Sequence, residues 1–273
     1  MTNKKFFFMA GLQRSGGTVL ATILNQNPDV YASPASPLMG MLVESTKTFS
    51  SPQNKDFDRT LAIANVLKGM AGSFYEDHEQ KYIVDKNHWW TTPSAFEVAY
   101  KYITQDVKII CPVRDITEIL ASFNTLLEKN PEENKNSVVD RSVFAETYPD
   151  KPMADRRANW LMKPNNDIAA HLYGMSFAKN PEFRHLFHFI EYNDIVARPE
   201  EVLNNLYDFL EIPRFEGHTF TGLTSEVPRE SITGVVDLHH VNPVLERKSI
   251  SPDEIFLPET VKRYSDMEFW RDL

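Results

Sequence analysis

The residue types near the N-terminus best suited to chemistry are Arg14, Ser15, Gly16, Gly17 and Thr18. They lie in Phe6-Phe7-Phe8-Met9-Ala10-Gly11-Leu12-Gln13-Arg14-Ser15-Gly16-Gly17-Thr18-Val19-Leu20. An apolar run of strand length meets a glycine, crosses a short polar loop and enters a stretch able to start a helix. Such a turn gathers backbone N–H groups at a helix N-terminus, where the dipole favours negative charge. The spacing is close to G-x-x-x-x-G-K-[ST], whose lysine reaches the β- and γ-phosphates of a nucleotide. Gly11, Gly16 and Thr18 stand at the expected positions, but Gly17 replaces the lysine, and the cation comes earlier, as Arg14. N–H groups, the hydroxyls of Ser15 and Thr18 and a guanidinium suit a 5′-phosphate carrying a further oxyanion. Taken alone, the stretch also fits a plain Gly-containing turn.

Further polar groups fall at strand ends. Tyr82-Ile83-Val84-Asp85 reads as a strand opening into Lys86-Asn87-His88-Trp89-Trp90. An imidazole titrating near neutrality can take a proton from an acceptor hydroxyl, and a lysine beside it can offset charge on a leaving group. His88 could instead pack beside the two tryptophans, which could wall a pocket, although large aromatics more often belong to the core. The strand Val107 to Val113 ends at Arg114, and Ser122 lies about two turns into the next helix. Together they could hold a phosphate through a bidentate arginine contact and a hydroxyl. A pair of Arg114 with Asp115 or Glu118 is the alternative. The strand His185 to Tyr192 ends in a tyrosine.

These four strands alternate with helical patterns, which argues for an α/β fold: a P-loop-like parallel sheet flanked by helices, in one domain spanning 1–273. Ligands of such sheets bind beyond the carboxyl ends of the strands. Helices are expected from Gly17 to Asn25, over 38–43, 59–70, 94–103 (N-cap Ser94), 117–129 and 154–178, from Pro199 to Pro213, and over 258–268. Val30 to Pro37 reads as irregular, 130–153 as a loop or mobile cover, and 214–250 as a long loop region.

The 273 residues carry a net charge of −9, with 42% hydrophobic and 25% charged residues. That balance fits a globular protein and argues against broad nucleic-acid binding. The single cysteine, Cys111, excludes an internal disulfide and fits a reducing compartment. The N-terminal apolar run is too short for a signal core or a membrane span, so a cytoplasmic protein is expected. His239-His240 are adjacent and lack spaced partners, and neither H-E-x-x-H nor C-x-x-C occurs, so no metal is expected.

In combination these segments resemble the sulfotransferases that use 3′-phosphoadenosine 5′-phosphosulfate (PAPS). Gly11 to Thr18 is similar to that family's 5′-phosphosulfate loop, P-[RK]-S-G-[TS]-T, with Gln13 for the proline and Gly17 for Thr or Ser. Val113-Arg114-Asp115 with Ser122 is similar to its 3′-phosphate motif. Glu191-Tyr192-Asn193-Asp194-Ile195, followed by Arg198-Pro199-Glu200, is similar to Y-x-D-L-x-x-x-P-E. The likeness runs from about residue 5 to 213.

The resemblance implies PAPS as donor and 3′,5′-ADP (PAP) as product. It implies that Arg14, Ser15, Gly16, Gly17 and Thr18 hold the 5′-phosphosulfate and that Arg114 and Ser122 hold the 3′-phosphate. Tyr192 would touch the adenine or a phosphate, and Arg247 and Lys248 would close from the late loop. In the K-x-H pattern His88 is the base, with Lys86 and Arg14 at the transferring group. Protein-tyrosine sulfotransferases place a glutamate after the first helix; Tyr31 to Ser36 holds no acid, which favours His88 as base and argues against a protein-tyrosine acceptor. The acceptor class expected is a small-molecule or glycan-type hydroxyl, or an amine. Two rivals stay open: a Mg²⁺-dependent kinase or ATPase using Asp85, and a non-catalytic nucleotide-binding module.

Overall fold

Phe6 and Phe8 pack into one core cluster and Phe7 and Met9 into another, because successive side chains of a strand point to opposite faces. Both faces of the strand are buried, as expected of a parallel sheet covered on both sides. The structure, a computed structural model, describes residues 4–55, 60–146, 150–224, 234–247 and 250–273. Five parallel strands, β1 (Lys5–Met9), β2 (Val30–Ala32), β3 (Tyr82–Lys86), β4 (Ile109–Val113) and β5 (Phe187–Glu191), lie in the order β2-β3-β1-β4-β5. Leu42, Leu67 and Ile119 bring helices Leu38–Phe49, Thr60–Phe74 and Ile116–Lys129 onto one face. Leu20, Leu24, Leu203 and Leu206 bring Gly17–Leu24 and Pro199–Leu210 onto the other.

The chain builds outward from β1 to β2 and β3, then crosses to β4 and β5 on the other side. That reversal makes a crevice beyond the carboxyl end of β1, where the Gly11–Gly17 loop leaves. Gly11 is fixed by packing. Ala10 and Leu12 donate to the carbonyls of Ile110 and Pro112 at 2.8 and 2.9 Å, and a Cβ on Gly11 would lie 1.9 Å from the Pro112 oxygen. Gly11→Ala should therefore destabilise the fold by about 3 kcal/mol or more, read as a lower urea midpoint; an unchanged midpoint would mean that the loop shifts freely.

Several expectations need correction. A strand, β2, forms within the stretch read as irregular, making five strands rather than four. The segment 130–153 is largely helical where described, with helices Pro131–Asn134 and Val138–Ala145 and the start of Met153–Leu161. Ser137 caps the second of these by accepting from the Asp140 N–H at 3.2 Å. Buried Arg157 clasps Asp140 at 2.8 and 2.9 Å and donates to Asn124 at 2.8 Å. Losing either charged partner of such a buried pair costs roughly 3–5 kcal/mol, so these helices belong to the packed body.

The long helix over 154–178 is two helices, Met153–Leu161 and Asp167–Met175, followed by a 3₁₀ turn at Ser176–Lys179. The break falls at Pro164 and at Asn165, whose φ is +70°. Gly174 stays helical and lets the second helix press onto Thr91, since a Cβ there would sit 2.5 Å from the Thr91 hydroxyl. Thr92, not Ser94, is the N-cap of Pro93–Val98, which continues as a π-helical stretch, Ala99–Ile103. The last helix is Pro258–Tyr264, shorter than expected. Among the described residues no helix is long and apolar enough to cross a membrane.

Candidate active site

The loop after β1 turns through two left-handed residues, Arg14 (φ +59°) and Gly16 (φ +87°). A non-glycine residue in that region is strained, and such strain gathers at functional sites. Helix Gly17–Leu24 then starts with no side-chain cap and no acidic residue in its first turn. Helix Ile116–Lys129 differs: Asp115 accepts from the Glu118 N–H at 3.1 Å and Glu268 from the Ile116 N–H at 2.8 Å. Of these two helix starts, the first retains unfilled N–H donors for an anion, while the second is already met by carboxylates.

Arg14, Gly16, Gly17, Thr18, Lys86, His88, Arg114, Ser122 and Tyr192 all line one cavity of about 750 Å³ at this end of the sheet. Ser15 is the correction. Its side chain is fully buried, with its one hydroxyl hydrogen shared between the carbonyls of Leu12 and Pro112, so the hydroxyl is directed away from the cavity and the N–H is what Ser15 has left to offer. Arg247 does not line the cavity; it lies 3.8 Å from the carboxylate of Glu118, the partner of Arg114, and Lys248 lies outside the described residues.

Lys86 and Arg14 set the electrostatics. Lys86 Nζ donates to the Thr18 hydroxyl at 2.9 Å and the Pro34 carbonyl at 2.8 Å. Its Cε would lie 3.4 Å from a Cβ on Gly17, so β3 supplies the cation that position 17 lacks. Arg14 donates to Ser122 Oγ at 3.2 Å and to the Leu238 carbonyl at 2.7 Å. Among the described residues no carboxylate pairs with either cation. Burial, then the nearby Arg14 charge, pushes the Lys86 ammonium down to about 7; burial, then Arg114, pushes Arg14 down to about 10. Arg114 donates to Glu118 at 2.7 Å and stacks its guanidinium 4.6 Å over the Tyr192 ring. The ion pair and the place at the cavity therefore coexist. Arg14 touching Ser122 shows that the first and second motifs meet.

His88 Nδ1 lies 2.7 Å from the Gly11 carbonyl oxygen. A carbonyl only accepts, so Nδ1 carries the hydrogen and Nε2 keeps the lone pair. Burial, followed by His171 and Lys86, holds this imidazole well below its usual range. Trp89 lines the cavity, whereas Trp90 is buried and donates to Asp85 at 2.6 Å. Asp85 also accepts from Ser36 and Tyr75, on the face of β3 opposite Lys86, so it does not face the phosphate loop.

Sequence reasoning missed His171, Asp167 and the placement of His239. His171 comes from helix Asp167–Met175, its ring 5.3 Å from that of His88 and 4.6 Å from Trp89. His239 lies 3.4 Å from the Thr18 hydroxyl. Burial holds both histidines at about 4. The spacing Asp167-x-x-x-His171, one helical turn, was the available signal.

His171 gives a pH prediction. Its folded pKa is below the unfolded value of about 6.5, so the unfolded chain binds the extra proton. Its contribution is full above pH 6.5 and is lost as pH falls toward 4, on the order of 3 kcal/mol. In urea unfolding, His171→Gln should flatten the pH dependence between 6.5 and 4.5 relative to the parent; parallel curves would contradict this.

Sequence and structure comparisons fit this geometry. The sulfotransferase family model matches residues 7–217. The sulfotransferase domain from the curacin biosynthetic pathway superposes with a TM-score of 0.57 at 18% identity, covering 96% of this chain and 95% of that one. A sulfotransferase from Mycobacterium avium gives 0.49 at 16% identity, over 100% of this chain and 77% of that one. No curated protein matches the chain. The first superposition shows a shared fold, and the family match covers most of the sequence. The chain belongs to the sulfotransferase family.

Proposed function

We propose that the protein moves a sulfuryl group from PAPS to a hydroxyl or amine of a small-molecule or glycan-type acceptor and releases PAP, acting as one domain in the cytoplasm. The observation that carries this reading is a pair of cations, buried Lys86 and half-buried Arg14, without a carboxylate partner among the described residues, above a helix start with no side-chain cap. Unpaired buried charge is costly, and an anionic ligand removes that cost. Arg14, Thr18 and the N–H groups of the loop would hold the 5′-phosphosulfate. Arg114 and Ser122, with Arg247 behind Glu118, would hold the 3′-phosphate.

The donor supplies the sulfuryl group: a new bond forms from the acceptor oxygen to sulfur as the bond from sulfur to the 5′-phosphate oxygen breaks. His88 Nε2 receives the acceptor's proton. Lys86 and Arg14 offset the negative charge that grows on the departing phosphate. Asp85, which the kinase alternative needs at a metal, is held by three side chains on the other face of β3.

Binding to wild type and Arg114→Ala tests the reading. PAP should lose roughly 10- to 100-fold in affinity in the variant, as for a lost charge-assisted contact, while AMP loses little. Equal losses would remove the 3′-phosphate assignment, and stronger stabilisation by ATP–Mg²⁺ than by PAP would favour the kinase. Transfer of radiolabelled sulfate separates an enzyme from a binding module.

A further inference from the structure

Beside His88 the cavity has a second wall, made of Gln13, Asp167 and His171. Asp167 and His171 lie one turn apart on the same helix face, and the Gln13 amide lies near enough to the Asp167 carboxyl to counter part of the upward push of burial on it. The His171 side chain is 1% exposed, and neither of its ring nitrogens has a hydrogen-bond partner. The Gln13 side-chain oxygen is buried and equally unpartnered. Buried polar atoms are nearly always paired, so orphans grouped at a cavity wall point to a ligand. The close approach of helix and turn at Gly174 and Thr91 holds this wall against His88.

The donor and acceptor pattern defines the ligand. A neutral imidazole carries one N–H and one lone pair, and the Gln13 oxygen asks for another hydrogen. A hydroxyl can receive from the imidazole N–H or give to its lone pair, whichever ring nitrogen it meets, and a polyol carries a further hydroxyl to give to the Gln13 oxygen. An anion would meet the Gln13 oxygen and Asp167 and is disfavoured. A phenol that spends its only hydroxyl on His88 would leave all these atoms unpaired. We infer that Gln13, Asp167 and His171 form a subsite that reads a second hydroxyl beside the reacting one, selecting a neutral polyol or sugar as acceptor. Only the word acceptor rests on the sulfuryl-transfer reading; the subsite stands on the orphaned atoms.

Saturation-transfer NMR with trans-1,2-cyclohexanediol and cyclohexanol isolates one hydroxyl on one scaffold, and PAP titration of the same samples reads the donor end. Wild type should bind the diol at least about 10-fold more tightly, the cost of leaving one buried group unpaired. His171→Leu should bring the two probes to equal affinity, with PAP affinity unchanged. His171→Asn, whose amide keeps a donor and an acceptor, should retain part of the preference. Gln13→Leu should reduce it independently, should the leucine variant not fold. Equal binding of both probes by wild type, or a preference that survives both leucine substitutions, would overturn the subsite. A diol preference without PAP binding would leave the subsite standing and remove the donor reading; PAP binding without the preference would do the reverse.

Discussion

Replacing His88 with alanine should lower kcat by roughly 10²- to 10⁴-fold while PAP binds almost as before. The expectation follows from the tautomer. The Gly11 carbonyl fixes the hydrogen on Nδ1, so Nε2 is the nitrogen left to accept a proton. His88→Asn serves as the companion variant, because an amide can still donate to Gly11 while lacking a basic nitrogen. Comparable losses in both would assign the effect to the base; full activity in either would exclude it. The pH profile adds an independent reading. Burial and the neighbouring His171 and Lys86 keep the free imidazole well below 6.5, so it is deprotonated at neutral pH. The acid limb of kcat/KM, which reports the free enzyme, should therefore fall below pH 6.5 and vanish in the alanine variant.

The framework that positions His88 was legible in the sequence because it is written in strongly patterned segments. An apolar run ending in Gly11, and another ending in Arg114, announce buried parallel strands with polar chemistry at their ends. The strand β2 was not, since only Val30–Ala32 pair, in a stretch rich in Asn and Pro. Helix Val138–Ala145 was hidden by the polar, Pro-interrupted residues on either side of it, although Ser137 followed three residues later by Asp140 is an N-terminal signature. What stabilises it, the Arg157 pairing, joins residues on different helices and has no local trace. The same limit applies to the site. Arg14, Lys86, His88 and Arg114 lie at strand ends and could be placed by topology alone. Ser15 could not be turned inward by reading, because its partner at Pro112 lies on β4. His171 sits in the middle of a helix, and its proximity to His88 depends on Gly174 fitting against Thr91.

Lys86 carries the other large effect. Lys86→Met should cost about 10²- to 10³-fold in kcat, because the methionine keeps much of the chain's volume beside Gly17 while removing the charge. The ammonium also makes nucleotide binding pH-dependent. In the free protein burial and Arg14 lower it to about 7; an anion placed beside it must raise that value. Binding of PAP between pH 7 and the higher bound value then takes up a proton. The contribution of Lys86 to affinity should be constant below pH 7 and weaken with rising pH above it. Titration calorimetry in two buffers of different ionisation enthalpy measures that proton directly, and the methionine variant should show none from this source. Were the uptake unchanged in Lys86→Met, the proton would belong to another group, and the ammonium would have to be placed outside the phosphate contact.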